Sequence, residues 1–141
     1  AEGKMTKEYY AVVRGEPENK SGIFEDLLFK DSSKNKSFVV KRMRKGVKKA
    51  SLEYETQKTL TDGDKKYSLV KIKLHTGRTH QIRVQFSSRK MPLLGDGKYG
   101  GKCEGCKTAL WSHSLSFLHP FTGKEIFINE PAPSVYPWNM F

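Results

Sequence analysis

No stretch of this chain approaches the ~20 consecutive apolar residues that a membrane-spanning helix needs. The opening residues AEGKMTKEYY contain no signal-peptide hydrophobic region. A soluble cytoplasmic protein, with no membrane partner, is the resulting expectation. Cysteine is scarce: Cys103 and Cys106 are the only two, which excludes a disulfide scaffold. Their CxxC spacing gives half of a four-ligand zinc site. His113 is a conceivable third ligand and no fourth is evident, so a surface loop with two free thiols is preferred to metal binding. Acidic residues are also few. The 15 Asp+Glu face 26 Lys+Arg, leaving a net charge of +11. That balance is unusual for an ordinary metabolic domain and favours nucleic acid as partner, although charge alone leaves anionic lipid and acidic proteins open. Internal repeats, interdomain linkers and low-complexity segments are lacking as well. The 141 residues suit one domain, or part of one, with volume for a hydrophobic core, and 11% aromatic content argues against a disordered basic tail.

What is present reads mostly as strands. Glu8 to Val13, EYYAVV, is aromatic and β-branched and ends at Gly15 and Pro17. Ile23 to Phe29 and Ser37 to Arg42 flank the polar run DSSKNK as a hairpin. Ala50 to Leu60 and Lys66 to Leu74 alternate apolar with polar residues across TDGD, a second hairpin. Within YSLVKIKL the inward set is Leu69 or Val70, with Ile72 and Leu74. The period then lengthens: Ile82 and Phe86 are four apart, predicting a helix capped by Thr79 and running to about Lys90. Past a glycine-rich loop, ALWSHSLSFLHP and EIFIN read as two strands joined by a Pro-Phe-Thr-Gly turn. The tail carrying Pro131, Pro133 and Pro137 is expected to be extended. The fold class is therefore α+β, a mainly antiparallel or mixed sheet with one short helix.

The polar residues around that helix start are too densely ordered for a plain core segment. Arg78, His80, Gln81 and Arg83 cluster within HTGRTHQIR. Free N–H groups at a helix N-terminus favour an anion, and the two guanidiniums suit carboxylate or phosphate. The alternative is a capped helix with surface arginines, His80 and Gln81 merely satisfying backbone groups. The charge run from Arg42 to Lys49 is equally open, as a solvated loop or as a phosphate-contacting patch. Tyr9, taken alone, reads as a strand aromatic in a core.

Five blocks in order narrow these alternatives: KEYYAVVRG, KKASLEYE, HTGRTHQIRVQF, LLGDGKYG and ALWSHSLSFLHPFTG. Together they resemble the RluA-type pseudouridine synthases, enzymes that isomerise uridine in RNA. Gln85 and the GDGKYG form are most similar to the branch with the RluC and RluD type enzymes of large-subunit ribosomal RNA. The resemblance implies a mechanism in which an aspartate attacks or deprotonates at the target nucleoside. The glycosidic bond breaks, and the uracil rotates and is rejoined through carbon, with no metal or cofactor. It implies that Tyr9 is the active-site tyrosine, stacking on a flipped base and assisting proton removal, with Tyr10 packing on the opposite side of the strand. It implies that Arg78 pairs with the catalytic aspartate. His80, Gln81 and Arg83 match flanking, substrate-binding positions, Arg83 being suited to phosphate or structural pairing. Lys7 and the run Lys41 to Lys49 are assigned to the RNA backbone, and Asp96, Tyr99 and His119 chiefly to turns.

One departure matters. The family's H-R-L-D type motif, which carries the catalytic aspartate upstream of the tyrosine block, has no match here. Asp26, Asp31, Asp62, Asp64 and Asp96 occupy other contexts, mostly turns. The expectation is a C-terminal portion, residues 1–141, of a synthase catalytic domain whose N-terminal part is missing. Such a piece is expected to bind RNA, ribosomal RNA by branch, without turnover, and to self-associate through uncovered sheet edges. The alternative is a non-catalytic RNA-binding module; a basic structural protein of the ribosome is a third.

Overall fold

The computed structural model describes residues 6–102, 107–118, 125–129 and 134–141. Seven strands form one sheet among these residues: β1 (Thr6–Arg14), β2 (Ser21–Asp31), β3 (Lys36–Val40), β4 (Val47–Asp62), β5 (Lys65–Leu74), β6 (Leu110–Leu118) and β7 (Glu125–Asn129). Their order is β3-β2-β4-β5-β1-β6-β7, and every neighbouring pair is antiparallel. The α+β reading thus holds, with the sheet antiparallel throughout. Both hairpins fall where turn chemistry put them. Asp62 pairs with Lys65 across a two-residue turn in which Gly63 has φ 64°. In the β2–β3 turn the Asp31 carboxylate accepts from Ser33 N–H at 3.0 Å and from Ser33 Oγ–H at 2.6 Å. Strand β4 reaches back to Val47, so the basic run divides: Lys48 and Lys49 belong to a strand, and the residues before Val47 to a loop.

The one helix, α1 (Gln81–Ser88), lies on one face of the sheet. Ile82 and Phe86 pack there with Ala11, Val13, Phe24, Leu52, Tyr54, Val70, Ile72 and Leu93. Phe86 is fully buried, which contributes about 1.5–3 kcal/mol by itself. Val70 and Ile72 supply the inward set of β5 on this face, with Leu74 packed at its margin, while Leu69 turns to the other face. There Val12, Leu94 and Ala109 are covered by Trp138, Met140 and Phe141. The tail is consequently not extended: residues 134–141 curl into a turn and a 3-10 helix at Trp138–Met140, because three large apolar side chains find a buried home there. Pro131, Pro133, Cys103, Cys106, His119 and the Pro-Phe-Thr-Gly turn lie outside the described residues.

Thr79 does not cap the helix. The cap position belongs to His80, at φ 53° with no side-chain cap bond, because a Gln81 N–H to Arg78 C=O turn of 3.1 Å first folds the chain back. The C-terminus closes two residues earlier than predicted, in a Schellman motif: Met91 N–H donates to Phe86 C=O and Lys90 N–H to Ser87 C=O, both at 3.0 Å. Lys90 takes the left-handed position at φ 63°, and Pro92 follows shortly after. Asp26 lies within β2 rather than in a turn. It anchors the far end of α1, accepting from Arg89 at 2.7 Å and from Gln85 at 2.9 Å.

The near end of α1 is tied by Arg83, which grips Asp96 with two parallel bonds of 2.8 and 2.9 Å. Asp96 is fully buried and its backbone also forms the turn expected of GDGKYG, accepting from Tyr99 and Gly101 N–H groups. Gly101 is obligatory beside it, since a Cβ there would run into the Leu93 carbonyl. Because Asp96 is sealed from water, removing its cation leaves an uncompensated buried charge. Arg83→Met is expected to lower the unfolding free energy by about 3 kcal/mol in denaturant titration. A loss below ~1 kcal/mol, the range of an exposed pair, would show that the clamp carries no such weight.

Candidate active site

Alternation along β1 places Lys7 and Tyr9 on the same side as Ala11 and Val13, the side that α1 covers. The helix does not reach their end of the strand. What lies there instead is the loop between β5 and α1. Lys7, Tyr9, Leu74, Thr76, Gly77 and Arg78 line a cleft of about 310 Å³ with His75. Tyr9 is half-buried and packs against the main core, so its ring is held while one part faces the cleft. Tyr10 points to the other face and is half-buried.

The loop is fixed by its own polar groups. The Gln81 carbonyl oxygen accepts from Thr76 Oγ at 2.8 Å and from the Arg78 N–H at 3.0 Å, and its amide nitrogen donates to Ser51 C=O at 3.0 Å. Ser51 C=O also accepts from the His75 and Thr76 N–H groups, at 3.0 and 3.2 Å. Thr76 Oγ in turn accepts from Ser51 N–H at 3.0 Å. Gln81 is 3% exposed and all three of these contacts are internal. Arg78, half-buried, donates Nε–H to Lys49 C=O at 2.8 Å, which sets the plane of its guanidinium. Its terminal nitrogens have no partner among the described residues, and a guanidinium so oriented is ready for a bidentate anion.

His80 and Arg83 sit on a different side of the loop, around Tyr99. The Tyr99 hydroxyl accepts from Ser37 N–H at 2.9 Å and lies 2.8 Å from His80 Nδ1. The phenol can give its proton to Nδ1 or accept a second bond from Nδ1–H, so the pair is joined in either tautomer of His80. Burial raises the Tyr99 pKa and keeps the phenol protonated. Burial first, then the charges of Arg83 and Lys98, push the His80 pKa below its ordinary 6.5; Asp96 pulls the other way, and Lys30 adds the least. The Asp96 hydrogen bond raises the Arg83 pKa, and the Arg83 guanidinium lies 5.0 Å from the Tyr99 ring centroid. Tyr9, Arg78 and Lys7 are therefore brought together in one cleft; His80 and Arg83 belong to the adjoining Tyr99 network, and Gln81 joins the loop to β4.

Residues 1–88 match the RNA pseudouridylate synthase family. The chain belongs to that family. An uncharacterised RNA pseudouridine synthase of Aquifex aeolicus is 36% identical, the match covering 97% of this chain and 46% of that protein. The ribosomal large subunit pseudouridine synthase D of Vibrio cholerae is 30% identical over 92% of this chain and 42% of its own length. The fold of this pseudouridylate synthase family chain is that of human RNA pseudouridylate synthase domain containing 1, with a TM-score of 0.77, 22% identity, and coverage of 93% of this chain and 56% of that one. The chain spans less than half the length of the two sequence relatives.

Sequence reasoning missed the parts that build the loop. Ser51 and Thr76 are ordinary strand-end residues by composition, and the Lys49 carbonyl has no sequence signature. Tyr99 was read as a turn residue, yet it is the shared partner of Ser37, His80 and Arg83. Titration tests that network. The His80 ring should titrate below 6.5 by NMR, and Tyr99→Phe reads the direction of the shared bond: the midpoint rises if Tyr99 donates to Nδ1 and falls if it accepts. Because the unfolded chain binds this proton first, His80 costs stability as pH falls through 6.5 toward its folded value and has no effect above. A midpoint at or above 6.5 in the unaltered protein would refute the assignment.

Proposed function

We propose that this chain is the part of an RNA pseudouridine synthase that presents Tyr9 and Arg78 to a target uridine, acting in the cytoplasm on large-subunit ribosomal RNA. The reading rests above all on one observation: Tyr9, Lys7 and Arg78 share a single cleft, and the Arg78 terminal nitrogens have no partner among the described residues. In this reading the ring of Tyr9 stacks on the flipped base and its hydroxyl assists proton removal. Arg78 receives the catalytic carboxylate, holding it ionised and oriented through two parallel N–H···O bonds. That carboxylate comes from a segment outside the 141 residues, since these contain no H-R-L-D motif. Lys7 neutralises a backbone phosphate at the cleft mouth. Gln81 serves through the loop, fixing the Arg78 backbone, and His80 and Arg83 serve through the Tyr99 network beside it.

The large-subunit assignment is supported by relatives such as the Vibrio cholerae enzyme, whose name specifies the ribosomal large subunit; the +11 charge suits an RNA partner in general. The 141 residues alone bind RNA and form no pseudouridine, and detection of the product with the isolated chain would refute that. In the protein that supplies the missing motif, Arg78→Lys keeps the charge and loses the planar fork. Turnover should fall by at least ~100-fold with little change in RNA affinity. A binding module without catalysis would instead show no turnover to lose.

A further inference from the structure

The loop that carries Arg78 crosses the sheet above the β4–β5 boundary, and a cleft opens on each side of it. The first, toward β5 and β1, holds Tyr9. The second, toward β4, β2 and β3, has a volume of about 180 Å³ and is lined by Leu28, Lys30, Ser37, Lys48, Gly77 and Arg78 among others. Three cations line it and no acidic residue does. Lys30, Lys48 and Arg78 also take part in none of the ion pairs of the described residues. The Tyr9 cleft, with Lys7 and Arg78, likewise holds no acidic residue, whereas farther away the charges are mixed: Lys41 and Lys49 share their cleft with Glu25 and Asp26, and Lys20 and Lys58 share theirs with Glu16 and Glu18.

We infer that this second cleft is a phosphate subsite for the RNA backbone next to the nucleotide held at Tyr9. The inference rests on the RNA-acting reading given above and adds residues to it. The register makes the subsite: Leu28 pairs with Lys48, so Lys30 and Lys48 are diagonal neighbours on one face of β2 and β4. That spacing is about 7–8 Å, close enough for both flexible ammonium groups to meet one oxyanion. Arg78 adds a third positive charge to the lining, its Nε–H being held by Lys49 C=O. Gly77 keeps the rim open, with nothing within 4 Å of where a Cβ would stand. The volume also discriminates. The Tyr9 cleft reaches the ~300 Å³ at which pockets begin to take whole organic ligands, and the second cleft falls well short of it, as suits a phosphate group. Like charges with no counter-ion repel one another, a cost that an anionic ligand removes.

The test uses the 141-residue chain and a fluorescent oligouridylate, with Kd measured by anisotropy across a potassium chloride series. Lys30 and Lys48 are exposed, so Lys30→Gln/Lys48→Gln leaves the core intact. It should weaken binding roughly tenfold and flatten the slope of log K against log salt by about 0.7, the value for one phosphate contact on a single strand. Lys30→Arg/Lys48→Arg should restore both. Lys58→Gln/Lys65→Gln, which removes the same charge near the opposite end of β4, should do neither. An unchanged slope in the cleft variant, an equal loss in the distant one, or no restoration by arginine would overturn the subsite and leave the RNA-acting reading standing. Failure of the unaltered chain to bind the oligouridylate would overturn both.

Discussion

The amide of Gln81 is the contact on which the arrangement depends. It is the first residue of α1, and its side chain reaches back to close the loop that precedes the helix and across to the Ser51 carbonyl of β4. One planar group thereby fixes a helix start, a loop and a strand in relation to one another. Its burial makes the constraint stiff, because a buried amide that lost these partners would carry the full cost of desolvation. The orientation of Arg78 follows from it: the same oxygen that accepts from Thr76 holds the Arg78 N–H, and the Lys49 carbonyl then holds Nε.

Around that bracket the molecule spends its acidic residues sparingly. Asp26 and Asp96 tie down the two ends of α1 through Arg89 and Arg83. Glu53 takes His75 at 2.9 Å, and Glu8 takes Lys71 at 3.5 Å on the face away from the helix. The carboxylates are thus used for architecture, while cations beside the Arg78 loop are left uncompensated. A helix of eight residues could not hold its position by propensity alone. Ion pairs at both ends and Phe86 in the middle make up the difference.

Much of this was legible in the sequence because the signals were local. Alternation and turn residues located all the strands, and the four-residue spacing of Ile82 and Phe86 located the helix. The RxHQIR string falls on the loop before α1 and on its first turn. The errors have a common cause. Thr79 is a good cap by type, and losing that place to His80 depends on a turn closed by Gln81 and on the long-range Ser37–Thr79 bond of 2.8 Å. The tail was read from its prolines, whereas Trp138, Met140 and Phe141 follow the apolar patch around Val12. The pairing of Arg83 with Asp96 and the Tyr99 hub join residues across a glycine loop of no periodicity. Such contacts are set by the packed fold, and no window of sequence contains them.

Arg78 is a single planar group between two clefts, and this has a thermodynamic consequence for the proposed assignment. A guanidinium held by one bond at Nε can still tilt about it, and because the group is rigid and planar an anion engaging one edge also restricts the other. Occupancy of the lysine-lined cleft would then lower the entropic cost of ordering Arg78 toward the Tyr9 cleft, and linkage requires the reverse effect to be equal in size. A substrate's backbone would in this way help to assemble the site that acts on its base, so that a nucleotide stripped of its flanking phosphate would be a poorer ligand at both clefts than the sum of the separate contacts suggests.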